Sequence, residues 1–455
     1  MNPLSTTIVA LATAVGRAAL GIIRLSGKDT FKIIAQLTGK NISTIKKLVP
    51  RKLYPLTIYD QNKQPLDSVL VALFFSPASY TGEDLAEIYF HGNPVIARQI
   101  LNAAIRAGAR PAYGGEFTYR ATLNGKMDLN QAEAVYNLIH SPTKNLLPAA
   151  WKTLTGEFSS TITGIVEQLR DIYTQIEARL NYPEDEIEPI RKNTYKKVYR
   201  QILNLLNRAE PARIQMQTPA IFIVGKQNVG KSSLFNCLLK EEAALISPRP
   251  GTTRDVITRL WEWQDFTFTV ADTAGMFAEK FSRLDQQAIE LTRKKIAAAN
   301  GLIFVLDIAR PLSGPEIKFI QQNSHPTILV VNKIDLPAAW DIKLVKKIAR
   351  RKKSPIVLTS AINNRGIEQL RKTIYRYFAQ KSDSAQLLLI GNYAYQKLKG
   401  VGEKMAELDK KLSDNNLEVA SFILEEILND LEFVAGKTSS EEIVQQIFGR
   451  FCVGK

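Results

Sequence analysis

The stretch "AIFIVGKQNVGKSS" (220–233) decides how this chain is read. An apolar, β-favouring run ends at Gly225, and Gly230-Lys231-Ser232 opens the next segment. The spacing fits G-x-x-x-x-G-K-[ST] set between a strand and a helix. Glycine at both ends lets such a loop curl until its N–H groups converge on anionic oxygens. The helix that follows adds the positive end of its dipole. Asn228, Val229, Gly230, Lys231, Ser232 and Ser233 are therefore read as a phosphate-binding loop, Lys231 reaching the terminal phosphates and Ser232 ligating Mg²⁺. A glycine turn before an ordinary surface helix is the plain alternative, and the downstream sequence decides against it.

Outward from that loop, strand-like runs alternate with helical ones: "FTFTVADTAG" (266–275), "GLIFVLDIA" (301–309), "TILVVNKID" (327–335) and "SPIVLTSA" (354–361). This alternation predicts a Rossmann-like parallel sheet with crossover helices over 216–378. Its strand ends carry chemistry. Asp272, Thr273, Ala274 and Gly275 close one run, with Asp272 toward the outer shell of the metal and Gly275 near a γ-phosphate. Asn332, Lys333, Ile334 and Asp335 close another. The Asp335 carboxylate can accept two hydrogen bonds from guanine N1 and N2, which adenine cannot provide. Thr359 to Ala361 closes the base pocket. Ser247, Pro248, Arg249, Pro250, Gly251, Thr252 and Thr253 lie before the next strand, where Thr253 would complete the Mg²⁺ shell. Order and spacing match the GTP-binding branch of the phosphate-loop proteins, so the nucleotide is read as GTP.

Met276 follows Gly275, where Ras-like enzymes carry the Gln that positions water. A thioether cannot orient a water. The side-chain carbonyl of Asn228 could instead hold a monovalent cation beside the phosphates and offset charge building toward the β–γ bridge. An Asn that merely stabilises its loop is the alternative.

The flanks read differently. Residues 1–118 mix short β runs with a helical pattern, as in a small α+β domain; 119–215 and 379–455 are helical by apolar spacing. The expected architecture is α/β multidomain: an N-terminal α+β domain, a discontinuous helical domain in two halves, and the nucleotide domain inserted between them. A chain of 455 residues accommodates that number of cores. Ser439, with Glu442 three on, marks the start of the last helix.

Bulk properties exclude several classes. The two cysteines, Cys237 and Cys452, form no disulfide framework or metal spacing, and the three histidines show no local pairing that would hold zinc. No apolar run is long enough for a membrane span, and the apolar opening is read as the first strand of a folded domain, giving a cytoplasmic expectation with no membrane partner. Cys452 stands fourth from the end, but Gly454 and Lys455 break the pattern prenylation requires. The net charge of +16 suggests a polyanionic partner. Its dense runs, "RKNTYKKVYR" (191–200) and "KLVKKIARRKK" (343–353), are read as solvated helix faces unless a binding role is shown.

Further motifs are far more particular: "TTIVALATAVGRAALGIIRLSG" (6–27), "TGEDLAEIYFHGNP" (81–94), "GGEFTYRATLNGKMDLNQAEAV" (114–135), "NYPEDEIE" (181–188) and "FCVGK" (451–455). With them the chain resembles, over nearly its whole length, the bacterial and organellar tRNA modification GTPases of the MnmE, or TrmE, family. The resemblance implies an N-terminal folate-binding and dimerisation domain at 1–118, a helical domain at 119–215 and 379–455, and an inserted G domain at 216–378. It implies a homodimer that joins the FAD protein MnmG in a heterotetramer. Such an assembly adds an aminomethyl-type group to C5 of the tRNA wobble uridine, taking the one-carbon unit from a reduced folate such as 5-formyl-tetrahydrofolate.

By the matching motifs, Arg24, Glu87, Lys126 and Lys455 would hold the folate, with Cys452 beside them in a catalytic or packing role. A carboxylate can read the donor edge of a pterin, and Arg or Lys can pair its glutamate tail. Surface ion pairing for Arg24 and simple solvation for Lys126 are the plain readings. By the same transfer Asn228, Ser247, Arg249 and Thr252 would line a K⁺ site, the middle two through backbone carbonyls. The catalytic Glu of the family aligns best with Asp285, one methylene shorter, with Glu279 as the alternative. "GRAAL" (16–20) and "AYGGEF" (112–117) also depart from the family pattern. Two rivals remain at this level: an RNA-binding GTPase that modifies nothing, and a folate enzyme whose nucleotide domain is inert.

Overall fold

The computed structural model describes residues 6–182, 192–216, 218–239, 257–264, 266–272, 299–378, 387–436, 447–449, 451 and 454. Its contacts divide the chain into two compact units, 1–139 with 150–207 and 388–455, and 140–149 with 208–387. The α/β multidomain class expected from sequence is what the chain forms.

The first unit opens with a six-stranded sheet: β1 (Ile8–Leu11), β2 (Leu20–Ser26), β3 (Leu53–Tyr59), β4 (Pro65–Phe74), β5 (Leu85–His91) and β6 (Arg110–Pro111), in the order β3-β4-β5-β2-β1-β6. Neighbours are antiparallel except β1 and β6. Alternation puts Ile23, Leu25, Ala86 and Ile88 on one face, where helices 30–38 and 94–106 cover them with Ile33, Ile34, Ile100 and Ala104. Arg24, Glu87 and Tyr89 fall on the other face by the same period of two.

The helical part of this unit comprises helices 129–140, 157–181, 392–413 and 417–434 with portions of 147–154 and 192–215. The pattern read from sequence as one long helical stretch is interrupted at Pro142, whose ring removes an N–H donor, and at Gly156, whose φ of 84° favours glycine. Helices 392–413 and 417–434 form a hairpin in which Lys397 and Lys404 flank Asp430 at 2.6 and 2.9 Å. The Asp430 carboxyl is desolvated, which alone would raise its pKa, but the two ammonium groups hold it below the usual range. Tyr195 donates its hydroxyl to the Met405 carbonyl.

The second unit holds β7 (Ala220–Gly225), β8 (Ile257–Trp263), β9 (Phe266–Asp272), β10 (Gly301–Asp307), β11 (Thr327–Asn332) and β12 (Ile356–Leu358), in the order β12-β11-β10-β7-β9-β8. All pairings are parallel except β8 with β9. Every residue of β10 and β11 is buried, as expected for central parallel strands covered on both faces. Residues 140–149 group with this unit, where the Thr267 N–H donates to the Pro142 carbonyl at 2.8 Å.

Candidate nucleotide and ligand sites

The nucleotide loop runs from the end of β7 into helix 231–239. Three of its residues have left-handed backbones: Gly225 (φ 153°), Asn228 (φ 62°) and Gly230 (φ 98°). A methyl on Gly225 would stand 2.6 Å from the Val305 carbonyl, and one on Gly230 2.3 Å from the Asn332 amide nitrogen. Glycine is required at both places on steric grounds as well as conformational ones. Asn tolerates the left-handed region better than most residues, and Asn228 is exposed. Lys231 is buried, its ammonium donating to the Lys226 carbonyl at 2.7 Å.

The end of β11 clasps this loop. Asn332, fully buried, donates from Nδ2 to the Val229 carbonyl at 2.9 Å. Its Oδ1 accepts from the Thr359 hydroxyl at 3.1 Å and the Ala361 N–H at 3.2 Å. Lys333, at φ 64°, extends its ammonium to the Asn228 carbonyl at 2.8 Å and to Asp307 Oδ2 at 2.7 Å. The Ile334 N–H donates to the Thr359 carbonyl at 3.2 Å. Asp335 is left exposed, with no hydrogen bond or ion pair among the described residues. A carboxylate presented in this way has lone pairs available for two neighbouring donors. Asp272 ends β9 beside Ile223 of β7, next to the loop. Asn228, Val229, Gly230, Lys231, Asn332 and Lys333 are thus brought into one constellation. Ser232 follows Lys231 in the first turn of the helix, and Ser233 is exposed there. Sequence reading does not anticipate the ion pair of Lys333 with Asp307; a basic residue directly after a strand-ending Asn is the signal that could have suggested it.

Ser247, Pro248, Arg249, Pro250, Gly251, Thr252, Thr253, Thr273, Ala274, Gly275, Met276, Glu279, Asp285, Ser439, Glu442, Cys452 and Lys455 lie outside the described residues.

A second constellation forms in the first unit. Arg24 and Glu87 face each other across β2 and β5. Arg24 donates to Glu87 Oε1 from Nε at 3.0 Å and from a terminal nitrogen at 2.8 Å. Tyr89 donates to Glu87 Oε2 at 2.7 Å. The Arg24 guanidinium lies 5.4 Å from the Tyr80 ring centre and 5.7 Å from that of Phe117. Burial, reinforced by the hydrogen bond to Glu87, pushes the Tyr89 hydroxyl up to about 12. Burial likewise raises Tyr80. A paired carboxylate has about four lone-pair sites, so Glu87 keeps acceptor capacity on Oε2 beyond these three bonds.

The Gly454 carbonyl accepts from Arg24 at 3.4 Å, and a methyl on Gly454 would come within 2.4 Å of the Leu11 carbonyl. Upstream, Phe448 and Phe451 pack against Tyr119 and Tyr136, with ring centres 5.4 and 5.3 Å apart. Gly114 and Gly115 make that approach possible: a methyl on either would stand 2.6 Å from the Phe451 carbonyl or 2.8 Å from the Phe448 carbonyl. The "YGG" departure seen in the sequence is thus a close seat for Phe448 and Phe451. Lys126 is exposed, donates to the Pro77 carbonyl at 3.0 Å and packs its stem on Gly82.

Beneath the pair, Arg120 is 2% exposed and bonds Glu83, Glu116 and the Thr6 carbonyl. Glu83 also accepts from Ser26 at 2.7 Å, fixing the "TGED" turn. Burial would raise Glu116, but Arg110, the Tyr113 N–H and Arg120 together hold it below the ordinary carboxylate range. Sequence reading misses Tyr80, Tyr89 and Phe117 as neighbours of Arg24. Tyr89 was reachable, since it lies two residues from Glu87 on the same strand face. Among the described residues no group of three acidic, His or Cys side chains could hold a metal. No helix among them is long and apolar enough to cross a membrane.

Known proteins resemble this chain throughout. The family model described as GTP-binding protein TrmE N-terminus matches residues 7–126, and that described as MnmE helical domain matches 129–452. The tRNA modification GTPase MnmE of Thermotoga maritima is 36% identical over 458 residues, covering 99% of this chain and 100% of that protein. The protein of the same name from Aquifex aeolicus is 33% identical over 457 residues, covering 98% and 99%. Among solved structures, Aquifex aeolicus Era bound to GDP·AlF4⁻ is 26% identical over 42% of this chain and 67% of that one, with a TM-score of 0.30.

Proposed function

The chain belongs to the MnmE, or TrmE, family of tRNA modification GTPases, and from that premise we propose that it hydrolyses GTP to drive modification of a tRNA wobble uridine. With an FAD protein of the MnmG type, it would add a carboxymethylaminomethyl-type group to C5 of that base. A tetrahydrofolate supplies the one-carbon unit when bound. The coexistence of two constellations in one chain carries this reading: a guanine-type nucleotide site around Lys231 and Asp335, and a cation–carboxylate–tyrosine site around Arg24.

In the nucleotide site, the loop N–H groups and Lys231 bind and orient the phosphates, while Asp335 selects guanine. Ser232 and Thr253 would hold Mg²⁺. Asn228, with the carbonyls of Ser247 and Arg249 and with Thr252, would hold K⁺; the exposed, left-handed Asn228 supports such a use of its side chain. Asp285, or Glu279 in its stead, would position the attacking water. In the second site, Glu87 offers its remaining lone pair on Oε2 to a pterin donor, Arg24 holds Glu87 in place, and Tyr80 and Phe117 wall the guanidinium. Lys126 and Lys455 would take the anionic tail. A homodimer, joined by MnmG into a heterotetramer acting in the cytoplasm, is the assembly this reading implies.

The test is direct. Calorimetry with 5-formyl-tetrahydrofolate should give saturable heat that Glu87→Ala abolishes, and GTP turnover should be faster in KCl than in NaCl. A protein that cleaves GTP but takes up no reduced folate would leave only a generic switch. Equal rates in both salts would remove the K⁺ site.

A further inference from the structure

The helix at 342–352 carries charge that the nucleotide site does not use. Between 342 and 353 there are seven cations and no acidic residue. Lys343, Lys346, Lys347, Arg350, Arg351, Lys352 and Lys353 are all exposed, while Val345, Ile348 and Ala349 face the sheet. Asp341 stands 3.9 Å from Lys343. Lys346, Lys347, Arg350 and Arg351 have no acidic partner among the described residues. Cations in a last turn complement the helix dipole. That accounts for Arg350 to Lys352 but not for Lys346 and Lys347, which stand before the last turn.

A cavity of about 260 Å³ opens beside the end of this helix, and Lys352 and Ser354 form part of its rim. Phe319 and Tyr377 contribute aromatic walls, and His325 and Asn323 contribute polar ones. Phe319 is stacked on Phe304 at 4.7 Å between ring centres. The Lys352 ammonium donates to the Asn323 carbonyl at 3.1 Å, which fixes the rim. The Ser354 hydroxyl and the His325 ring make no hydrogen bond among the described residues, so donor and acceptor capacity remains at the cavity mouth. The cavity touches Pro326 and Thr327, at the start of β11, whereas Asn332 ends that strand. Leu329 also lines the cavity, and three positions of strand, roughly 10 Å at the usual rise per residue, separate it from Asn332. The cavity opens toward the starting ends of the parallel strands, and the nucleotide loop follows their finishing ends.

Unpaired cations beside an aromatic-walled, polar-rimmed pocket are the pairing that single-stranded nucleic acid uses, with phosphates on the charges and a base against a ring. We propose that this face binds a looped or single-stranded stretch of RNA, the helix cations tracking the phosphates and one unstacked base entering the cavity. The inference rests on the reading that tRNA is the substrate, and adds where the RNA would be held. An anionic membrane would be attracted by the same charge, but the helix exposes a single large apolar side chain, Leu344, and a membrane has no use for the cavity.

The experiment uses the full-length protein and an unmodified tRNA transcript with uridine at the wobble position, followed by fluorescence anisotropy across a salt series. Combined Lys346→Ala, Lys347→Ala, Arg350→Ala and Arg351→Ala should weaken binding tenfold or more. It should also flatten the slope of log affinity against log salt by about 0.7 for each phosphate no longer neutralised. Tyr377→Ala should weaken binding about fivefold or more, with Tyr377→Phe restoring it, because stacking needs the ring and not the hydroxyl. Basal GTP hydrolysis should stay unchanged in all of them, which reports that the unit is folded. RNA binding with unaltered affinity and slope in the fourfold variant would overturn this face while leaving the tRNA reading intact. A wild-type protein that binds no transcript at low salt would overturn both. Loss of binding to phosphatidylserine vesicles with RNA binding untouched would assign the charge to a membrane surface instead.

Discussion

The nucleotide site and the Arg24 site are built in opposite ways. The first is centred on a backbone loop, whose carbonyls are clasped by Asn332 and Lys333 from the end of β11. The second is made of side chains drawn from positions 24, 80, 87, 89 and 117, with a carbonyl from 454. A site of backbone needs glycines at fixed offsets and announces itself in a short motif. A site of side chains depends on sheet register and on a distant segment docking, so its parts look ordinary one at a time.

The sharpest way to break this contrast is to attack what supports each site. Arg120→Ala would leave Glu83 and Glu116 without their shared partner in a buried setting, a loss of about 3–5 kcal/mol. Chemical denaturation should show the first unit destabilised by that amount; a change under about 1 kcal/mol would mean solvent already screens the network. Lys231→Ala should lower GTP turnover on the order of 10²–10³-fold, as loss of a positioned donor to developing charge does. Reduced-folate binding should be untouched, and a parallel loss of both would show that the sites are not separable. Gly114→Ala places a methyl 2.6 Å from the Phe451 carbonyl, a clash of roughly 1–3 kcal/mol. The expected result is weaker reduced-folate binding with normal basal GTP hydrolysis, read by calorimetry and phosphate release.

The smallest effect is a pH dependence. The Glu116 pKa is lowered by folding, so its contribution to stability is complete above the ordinary carboxylate range and fades as pH falls through the folded value. The melting-temperature gap between wild type and Glu116→Gln should therefore be constant near neutrality and narrow below about pH 4.5. A gap that widened in acid would invert the sign and remove the ion-pair explanation.

How much was legible follows the same division. Gly225, Gly230, Lys231, Asn332 and Asp335 could be read from spacing because Gly225 closes β7, Asn332 closes β11, and the others follow those strand ends at short fixed offsets. Arg24 and Glu87 were reachable only through family resemblance; that they are cross-strand partners needed the register of β2 on β5. Tyr80 and Phe117 could not be read at all, since a turn and a helix bring them over Arg24 from outside the sheet. "YGG" reads as a defect in a motif when taken alone, and only the fold shows Phe448 and Phe451 resting on it.

The clasp between β11 and the phosphate loop has a consequence for rebuilding this unit. Asn332 and Lys333 grip carbonyl groups of Val229 and Asn228, not their side chains. The grip reads no side chain at 228 or 229, though the left-handed backbone at Asn228 and the burial of Val229 still restrict both positions, and the loop is not a portable cassette. A graft of 225–232 into a foreign scaffold would have to bring the tip of β11 with it, so the smallest interchangeable part is two segments about a hundred positions apart in the gene product.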